Sequence, residues 1–281
     1  MANIIDAIIQ LVTNPKIELR EYSKSLNRAN NMGEALEEYI KDIFAGTVNE
    51  TDENNRNKML SEVFSYLGNQ NNPPDAMLRN GDAIEIKKIK SNDSSLALNS
   101  SYPKSKLFAD NPMLKKACKE CESWTDKDMI YAIGIVSNNA IKSLAFVYGI
   151  DYCADKSVYE QIATMIKSGI ENISNIEFSE TKELGRVNRV DPLGITYLRV
   201  RGMWGIENPF KVFDYIYKRD YSKKFNFMAI INNNKYYSFE NYLELETLCG
   251  EINELKILDV NIRNPNNPAQ LRDAKLITYK I

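Results

Sequence analysis

The chain has 281 residues, of which 43% are hydrophobic, and its formal net charge is −2. This composition is enough to bury a substantial core, as one large domain or two tightly joined ones. No apolar run approaches the ~18 residues that suggest a membrane span. The N-terminus has no basic stretch followed by an apolar core, so no signal peptide is predicted. Four cysteines in a chain this long do not suggest a disulfide framework, and an intracellular protein is expected.

The chain contains no histidine. Its absence excludes Ser-His-Asp and Cys-His hydrolases, and every nuclease that needs a histidine base or nucleophile. Any hydrolytic chemistry must therefore rest on carboxylates, lysine and a metal ion. The net charge does not decide whether the protein binds nucleic acid, because a protein that uses carboxylates for metal can still carry a basic groove.

Helical patterns dominate the N-terminal part of the chain. Helices are predicted over residues 4–12, 33–44 and 58–67. The second has its apolar residues on one side and Gly46 past its end, as expected of a helix C-terminus.

A tight β-hairpin is predicted next. Asn80-Gly81 is a strong signal for a type I′ turn, which needs a positive φ at both central positions. Residues 83–87 then alternate apolar and polar, as a half-buried strand does. Glu85 and Lys87 share one strand face, and the hairpin returns Asp75 alongside them. Two carboxylates and an ammonium group would thus converge on one point.

Such a convergence suits a divalent metal ion and an activated water. The predicted metal ligands are Asp75, Glu85 and the main-chain carbonyl of Ile86. Lys87 would stabilise developing charge or orient the nucleophile. The alternative is an exposed hairpin with ordinary surface charges, since the bare pattern occurs by chance.

The rest of the chain mixes strands and helices. Strands are predicted over 129–136, 141–150, 196–201, 225–231, 255–262 and 274–281. Helices are predicted near 113–124 and over 158–173, 209–217 and 240–248, and residues 91–106 are predicted to be a loop. These elements predict an α/β (α+β) layered fold with a central mixed β-sheet flanked by helices.

Two segments are candidates for DNA contact. The loop after the hairpin offers hydroxyls, amides and lysines suited to phosphate; its candidates are Asn99, Ser100, Ser101, Lys104 and Lys106. The alternative for this loop is a mobile, solvated segment. The second segment is rich in arginine, which makes bidentate contacts to guanine in the major groove; its candidates are Arg186, Arg189, Arg199 and Arg201. Asp191 would accept from cytosine or orient an arginine. A salt-bridged surface strand is the alternative for this segment.

Pro74-Asp75 followed by Glu85-Ile86-Lys87 resembles the PD-(D/E)XK nuclease signature. Such nucleases often carry an acid on an upstream helix in a Gly-x-x-Leu-Glu-like pattern. Residues 33–37 read Gly-Glu-Ala-Leu-Glu, so the resemblance makes Glu37 the best candidate for a supporting catalytic carboxylate. Glu34 and Glu38 are weaker candidates, and a solvated helix face is the alternative for all three.

More narrowly, much of the chain is similar to the NgoPII family of type II restriction endonucleases. The matching stretches include Asn-Pro-Pro-Asp-Ala-Met-Leu-Arg-Asn-Gly-Asp-Ala-Ile-Glu at 72–85 and Tyr-Leu-Arg-Val-Arg-Gly-Met-Trp-Gly-Ile-Glu-Asn-Pro at 197–209, with further ones at 27–30, 35–39, 64–68, 97–101, 147–155 and 183–186. The resemblance covers most of residues 1–235. It implies Mg²⁺-dependent cleavage of double-stranded DNA at a GGCC palindrome. Mn²⁺ is expected to substitute for Mg²⁺, and Ca²⁺ to support binding without cleavage.

A palindromic site is most simply read by a two-fold dimer, so a homodimer is expected. The resemblance to restriction endonucleases also implies a partner DNA methyltransferase, and a protein that acts in the cytoplasm of a prokaryotic cell. No membrane partner is expected. The chain is expected to form a single endonuclease domain over 1–281. Its parts would be a helical N-terminal part (1–70), a catalytic core (71–180), a DNA-recognition region (181–235) and a C-terminal α/β tail of unknown role (236–281).

Two other functions fit the same residues. One is a DNA repair or recombination nuclease of the same fold without strict sequence specificity. The other is a non-catalytic DNA-binding module that kept the fold and lost the chemistry, although the intact set of two acids and a lysine argues against it. Digestion of a plasmid of known sequence and a metal titration separate the three.

Overall fold

A nine-stranded mixed β-sheet forms the centre of the computed structural model, which describes residues 2–19, 32–69, 72–173, 177–181 and 183–281. The strands in chain order are β1 (Phe64–Asn69), β2 (Asn72–Leu78), β3 (Ala83–Ile89), β4 (Leu96–Asn99), β5 (Lys106–Phe108), β6 (Asp126–Ser137), β7 (Ala140–Tyr148), β8 (Glu177–Phe178), β9 (Gly185–Asn188), β10 (Leu198–Val200), β11 (Trp204–Ile206), β12 (Asn226–Asn232), β13 (Leu255–Asn264) and β14 (Asn267–Lys280). The helices are α1 (Ile4–Thr13), α2 (Met32–Ala45), α3 (Glu53–Val63), α4 (Lys116–Glu120), α5 (Gly149–Tyr152), α6 (Lys156–Glu171), α7 (Pro209–Val212), α8 (Asn233–Tyr236) and α9 (Tyr242–Glu251).

The strand order across the sheet is β1-β2-β3-β6-β7-β12-β14-β13, and β5 pairs with β6 outside this path. The pairs β3–β6 and β7–β12 are parallel, whereas their neighbours are antiparallel. Strands β8, β9 and β10 form a small separate sheet, and β4 pairs with β11. The C-terminal strands β13 and β14 join the central sheet through β12, so the predicted tail supplies part of the core.

Apolar side chains cover both faces of the central sheet. Helices α1, α2 and α9 pack on one face, where Leu11, Leu36 and Leu245 are fully buried. On the other face, Tyr131 of β6 packs in a second cluster with Phe210 of α7. A sheet covered on both faces needs nearly continuous apolar strands, and β6, β7 and β12 have them.

The predicted mixed sheet flanked by helices is confirmed, as are several of its elements. Helices α1 and α2 form where the apolar periodicity predicts them, and Gly46 has the left-handed φ of +69° that ends α2. The predicted strand pair β6–β7 is joined through Asn138 and Asn139, whose φ values are +52° and +65°.

Other local predictions are wrong. The predicted helix 58–67 ends at Val63, and its apolar end is strand β1. Residues 91–106 contain strand β4, while the helices predicted at 113–124 and 209–217 shorten to α4 and α7. The hairpin turn is not type I′, because Asn80 has a φ of +54° but Gly81 does not have a positive φ. Four residues rather than two connect β2 to β3. Within the described part of the chain, every helix is too short or too polar to cross a membrane.

Candidate active site and adjoining cleft

The position of Asp75 is determined by where the pairing between β2 and β3 ends. The two strands pair at Ala76–Ile84 and Met77–Ala83, but not beyond. The main-chain N–H of Ile86 therefore has no ladder partner on that side, and it donates to Asp75 Oδ2 at 2.6 Å. Gly68 of β1 permits the close approach of the neighbouring strand, because a Cβ there would lie 2.2 Å from the carbonyl oxygen of Pro74.

Asp75, Glu85 and Lys87 converge as the alternation of β3 predicts. Ile84 and Ile86 are buried in the core, whereas Glu85 and Lys87 project from the other face of the strand. Lys87 Nζ lies 2.6 Å from Glu85 Oε1 and 3.7 Å from Asp75 Oδ2. The side chains of both acids are about nine-tenths buried, with 11% of Asp75 and 13% of Glu85 exposed. Two buried carboxylates and one ammonium group thus share a single site.

The electrostatics of the cluster are set by burial and by the close acids. Burial, and then the negative charge of Glu85, raise the pKa of Asp75 to about 7. Burial acts to lower the pKa of Lys87, but Glu85 and Asp75 outweigh it and raise that pKa above its ordinary value. Lys87 is therefore a cation at neutral pH. The acids carry more negative charge than one lysine balances, which favours a further cation.

The donor atoms fit a divalent metal ion. Oxygen Oε2 of Glu85 is buried and has no hydrogen-bond partner among the described residues, although a buried polar atom normally has one. A residue's N–H and C=O point to the same edge of a strand, so the carbonyl of Ile86 faces the side on which Asp75 lies. In the part of the chain that the structure describes, no group of three or more acidic, cysteine or histidine side chains is arranged to hold a metal ion. Two carboxylates with a main-chain oxygen are the ligand set available here, and hard cations such as Mg²⁺ prefer oxygen.

Two acids of helix α2, Glu37 and Glu38, have different surroundings in the structure. Glu38 binds Arg56 at 2.6 Å and Lys41 at 2.9 Å, so it belongs to a structural ion cluster with the buried Asp42. Glu37 is half-buried and lies within electrostatic range of Lys87 and Asp75. Burial raises the pKa of Glu37, although Lys41 and Lys87 oppose that change. Of these two acids, Glu37 is the one near the cluster.

A cleft of about 420 Å³ is lined by Lys104, which lies within electrostatic range of Glu85. One wall is the segment after β4, with Ser101, Tyr102 and Lys104. Helix α6 and the arginine-rich segment supply the other walls, including Glu160, Glu183, Arg201 and Trp204. Aromatic contacts hold these walls together, since Tyr102 stacks on Tyr159 and both rings meet Trp204 edge-on. Part of each segment predicted to contact DNA therefore lines this cleft, namely Ser100, Ser101 and Lys104 of the first and Arg201 of the second.

Three of the four arginines project from one face of the small sheet. Arg186 lies directly opposite Arg199 in the β9–β10 register, and Arg201 follows two residues later. Glu183 binds Arg199 through two hydrogen bonds of 2.6 and 2.9 Å, and also binds Arg201 at 2.6 Å. The guanidinium group of Arg186 lies 4.7 Å from the ring centre of Tyr197. Arg189 stands apart, with a φ of +48° and Glu177 at 3.6 Å.

Comparison with known proteins gives a consistent result across the chain. The model of the family described as NgoPII restriction endonuclease matches residues 2–263. The chain is 61% identical over 280 residues to the Type II restriction enzyme NgoPII of Neisseria gonorrhoeae, which covers 99% of this chain and 100% of that protein. No solved structure matches the chain.

The chain belongs to the NgoPII restriction endonuclease family. Membership confirms the resemblance and the prediction of a type II restriction endonuclease. The site residues themselves stay predictions. The structure of this endonuclease brings some of them together and places others apart. Asp75, Glu85 and Lys87 meet directly, whereas Lys106 faces a different pocket, where it binds Asp126 at 2.7 Å and Asp128 at 3.4 Å.

The endonuclease also contains residues that sequence reasoning missed. Glu183 has the arginine-orienting role considered for Asp191, which instead accepts hydrogen bonds from Leu193 and Thr196 within its own loop. Ser100 lines the cleft with Ser101, and the backbone of Asn99 ends strand β4 opposite Trp204. No sequence signal distinguishes Glu183 from its neighbours, because its partners lie 16 and 18 residues away.

Proposed function

We propose that this restriction endonuclease cleaves double-stranded DNA at a GGCC palindrome in a Mg²⁺-dependent reaction. The single observation that carries the catalytic part is the convergence of Asp75, Glu85 and Lys87, where one buried oxygen of Glu85 has no partner in the described part of the chain. The sequence preference and the metal follow from the family resemblance. We further propose that the enzyme acts in the cytoplasm of a prokaryotic cell alongside a methyltransferase that protects the host's own sites.

Each residue of the cluster has a distinct task in this proposal. Asp75, Glu85 and the carbonyl of Ile86 would hold the Mg²⁺ ion, which polarises the phosphodiester and lowers the pKa of a bound water. The N–H of Ile86 fixes the orientation of Asp75. Lys87 is protonated at neutral pH, so it stabilises the negative charge that develops on the phosphate and does not serve as the base. Glu37 supports the charge balance of the cluster from helix α2.

The arginine face is the proposed reader of the half-site. Arg186, Arg199 and Arg201 share one face of the β9–β10 sheet, and arginine binds guanine O6 and N7 with two hydrogen bonds. Glu183 holds Arg199 and Arg201 in a fixed geometry before DNA binds. This reduces the side-chain conformational entropy that is lost on binding. Arg189 is the fourth proposed contact.

Digestion of a plasmid of known sequence tests the specificity. With Mg²⁺ or Mn²⁺ we expect discrete fragments that map to GGCC, and with Ca²⁺ we expect a gel shift of a GGCC duplex without cleavage. A plasmid premethylated at its GGCC sites is the matched control and should stay intact. A smear would instead favour the repair nuclease, and no cleavage at any metal concentration would favour the binding module.

A homodimer is the proposed assembly, and helix α6 is the surface that supports it. None of its residues is buried in the monomer. Val158, Ile162 and Met165 follow one another at spacings of four and three residues, and about half or more of each is exposed. Gly169 continues the stripe with open space beside it. Exposed apolar stripes of this kind mark interaction sites.

A second copy of the chain is the occupant that fits this stripe. Its exposed edge carries Gln161 and Ser168, which are uncharged, so two copies can meet without placing like charges together. A two-fold axis through α6 would also give one reader and one catalytic cluster to each half of a palindrome.

Changing Ile162 to Glu is expected to convert a dimer into a monomer, because it places a charge in the middle of the apolar stripe. Light scattering after size-exclusion chromatography measures this directly. Leu243→Glu on α9 is the matched control, since Leu243 is also exposed but lies away from α6. The surface assignment is wrong when Ile162→Glu stays dimeric, or when the control dissociates equally.

A further inference from the structure

Lys104 is a buried lysine without a carboxylate partner. Only 7% of the residue is exposed, and no ion pair to it occurs among the described residues. Its ammonium group donates to Ser101 Oγ and to the main-chain carbonyl of Tyr102 at 3.4 Å. An ammonium group has three donors, so one donor has no acceptor among the residues that the structure describes. Buried charges are normally paired, and an unpaired cation in a cleft wall indicates a site for an anion.

The position of Lys104 is fixed from two sides. Its main-chain N–H donates to the hydroxyl of Tyr131 at 2.7 Å, and Tyr131 lies directly opposite Glu85 in the β3–β6 register. Its carbonyl oxygen lies against Gly149, where a Cβ would approach it to 2.3 Å. These contacts bring Lys104 from a distant segment to the edge of the catalytic cluster.

The charge of Lys104 acts on the same cluster. Burial lowers its pKa, and the negative charge of Glu85 is the largest influence that opposes this change. Lys104 therefore lies within electrostatic range of a proposed metal ligand, while its side chain lines the cleft that leads to Arg201. Lys106 differs in both respects, because Asp126 and Asp128 neutralise it in another pocket.

We propose that Lys104 and Ser101 form a subsite that holds a DNA phosphate at or next to the bond that is cut. This inference rests on the proposed function and narrows it. Of the loop residues predicted to contact DNA, it assigns phosphate binding to Ser101 and Lys104 and a structural role to Lys106. The cleft is small and suits one phosphodiester group rather than a duplex. A phosphate oxygen would accept the free donor of Lys104 and a hydrogen bond from the Ser101 hydroxyl. Such charge-assisted bonds are about twice as strong as neutral ones.

The test measures binding in Ca²⁺ and single-turnover cleavage in Mg²⁺ for Lys104→Met, Lys104→Arg and the control Lys106→Met, with a 20 bp GGCC duplex. We expect Lys104→Met to weaken binding about tenfold and to slow cleavage on the order of 100-fold. Lys104→Arg should recover part of the binding. Lys106→Met should bind and cleave as the wild type does, because its loss removes no DNA contact.

Substrate modification identifies the phosphate itself. A methylphosphonate linkage, which carries no charge, is placed at each position of the half-site in turn. At one position it should weaken binding of the wild type about tenfold and leave binding of Lys104→Met unchanged, since both changes remove the same contact. The subsite is wrong if the losses caused by the methylphosphonate and by Lys104→Met add at every position of the half-site. It is also wrong if Lys104→Met binds and cleaves as the wild type does. Lys87→Met distinguishes failure of the subsite from failure of the proposed active site. If Lys87→Met also cleaves at the wild-type rate, the proposed active site is wrong, and not only the subsite.

Discussion

Replacing Lys87 with Met is expected to slow DNA cleavage about 10²–10³-fold, while binding of the GGCC duplex in Ca²⁺ stays within a fewfold of wild type. Lys87 is the one cation in hydrogen-bond contact with the Asp75–Glu85 pair among the described residues. In the proposed reaction its ammonium group stabilises the charge that develops on the phosphate, and loss of one such donor costs about 10²–10³ in rate. Methionine keeps most of the side-chain volume, so the lost rate reports the charge.

Binding in Ca²⁺ should survive for an electrostatic reason. Without Lys87, the two buried acids repel each other, but a bound divalent cation offsets that repulsion. The variant should therefore need less Ca²⁺ than the wild type for half-maximal binding, because loss of the ammonium group leaves the two acids without a competing cation. On the proposed DNA interface, its affinity at saturating Ca²⁺ comes from the arginines and the loop, which the substitution does not change.

Lys88→Met is the matched control, since Lys88 is the next residue of β3 but is exposed. The control removes the same charge from the chain and should cut at the wild-type rate. Measurement of single-turnover rates at saturating enzyme keeps binding out of the comparison. Cleavage by Lys87→Met at the rate of Lys88→Met would exclude Lys87 from the chemistry.

The convergence of Asp75, Glu85 and Lys87 was predictable from sequence because its geometry is mostly local. The alternation of residues 83–87 determines which face carries Glu85 and Lys87, and one hairpin returns Asp75 to them. The error in the turn type did not disturb this result, because β2 and β3 still pair antiparallel at Ala76–Ile84. What the pattern could not give was the bond from the Ile86 N–H to Asp75, which depends on where β2 leaves β3.

Predictions failed where tertiary contacts decide the local structure. The apolar run at 64–69 suits a helix or a strand, and pairing with β2 makes it a strand. Lys104 and Lys106 look equivalent in sequence, yet Tyr131 and Gly149 bury one while Asp126 and Asp128 neutralise the other. The ion pairs of Glu183 with Arg199 and Arg201 likewise depend on tertiary structure, because they form only when β9 and β10 pair.

Asp75→Asn is expected to make the metal-free protein more stable at pH 8 while abolishing cleavage. In the folded chain the pKa of Asp75 is about 7, because it is buried beside Glu85, whereas an unfolded aspartate has a pKa near 3.8. The folded state therefore prefers the protonated form, and stability is lost as pH rises between these two values. Each pH unit in that interval corresponds to about 1.4 kcal/mol, so the ionised carboxylate costs on the order of 4 kcal/mol above pH 7.

The amide of asparagine carries no charge and can still accept the N–H of Ile86, so it avoids this cost. In EDTA, the melting temperature of Asp75→Asn should equal that of the wild type near pH 4, exceed it progressively up to pH 7, and keep a constant excess above pH 7. A domain of this size gains roughly 2–4 °C for each kcal/mol, so the excess should reach several degrees. Asp93→Asn, at an exposed aspartate, should show no such trend.

Mg²⁺ should reverse the order of the two proteins. A cation that binds only the folded wild type raises its melting temperature by mass action, and Asp75→Asn, which lacks one of the two proposed carboxylate ligands, should gain little. At pH 6 the wild type should also gain less than at pH 8, because Asp75 must lose its proton before it binds the ion. Equal stabilisation of both proteins by Mg²⁺ would place the metal elsewhere, even if the variant no longer cuts DNA. At the proposed metal site, the ionised carboxylate of Asp75 would thus cost stability in the free protein and regain it when the cation binds.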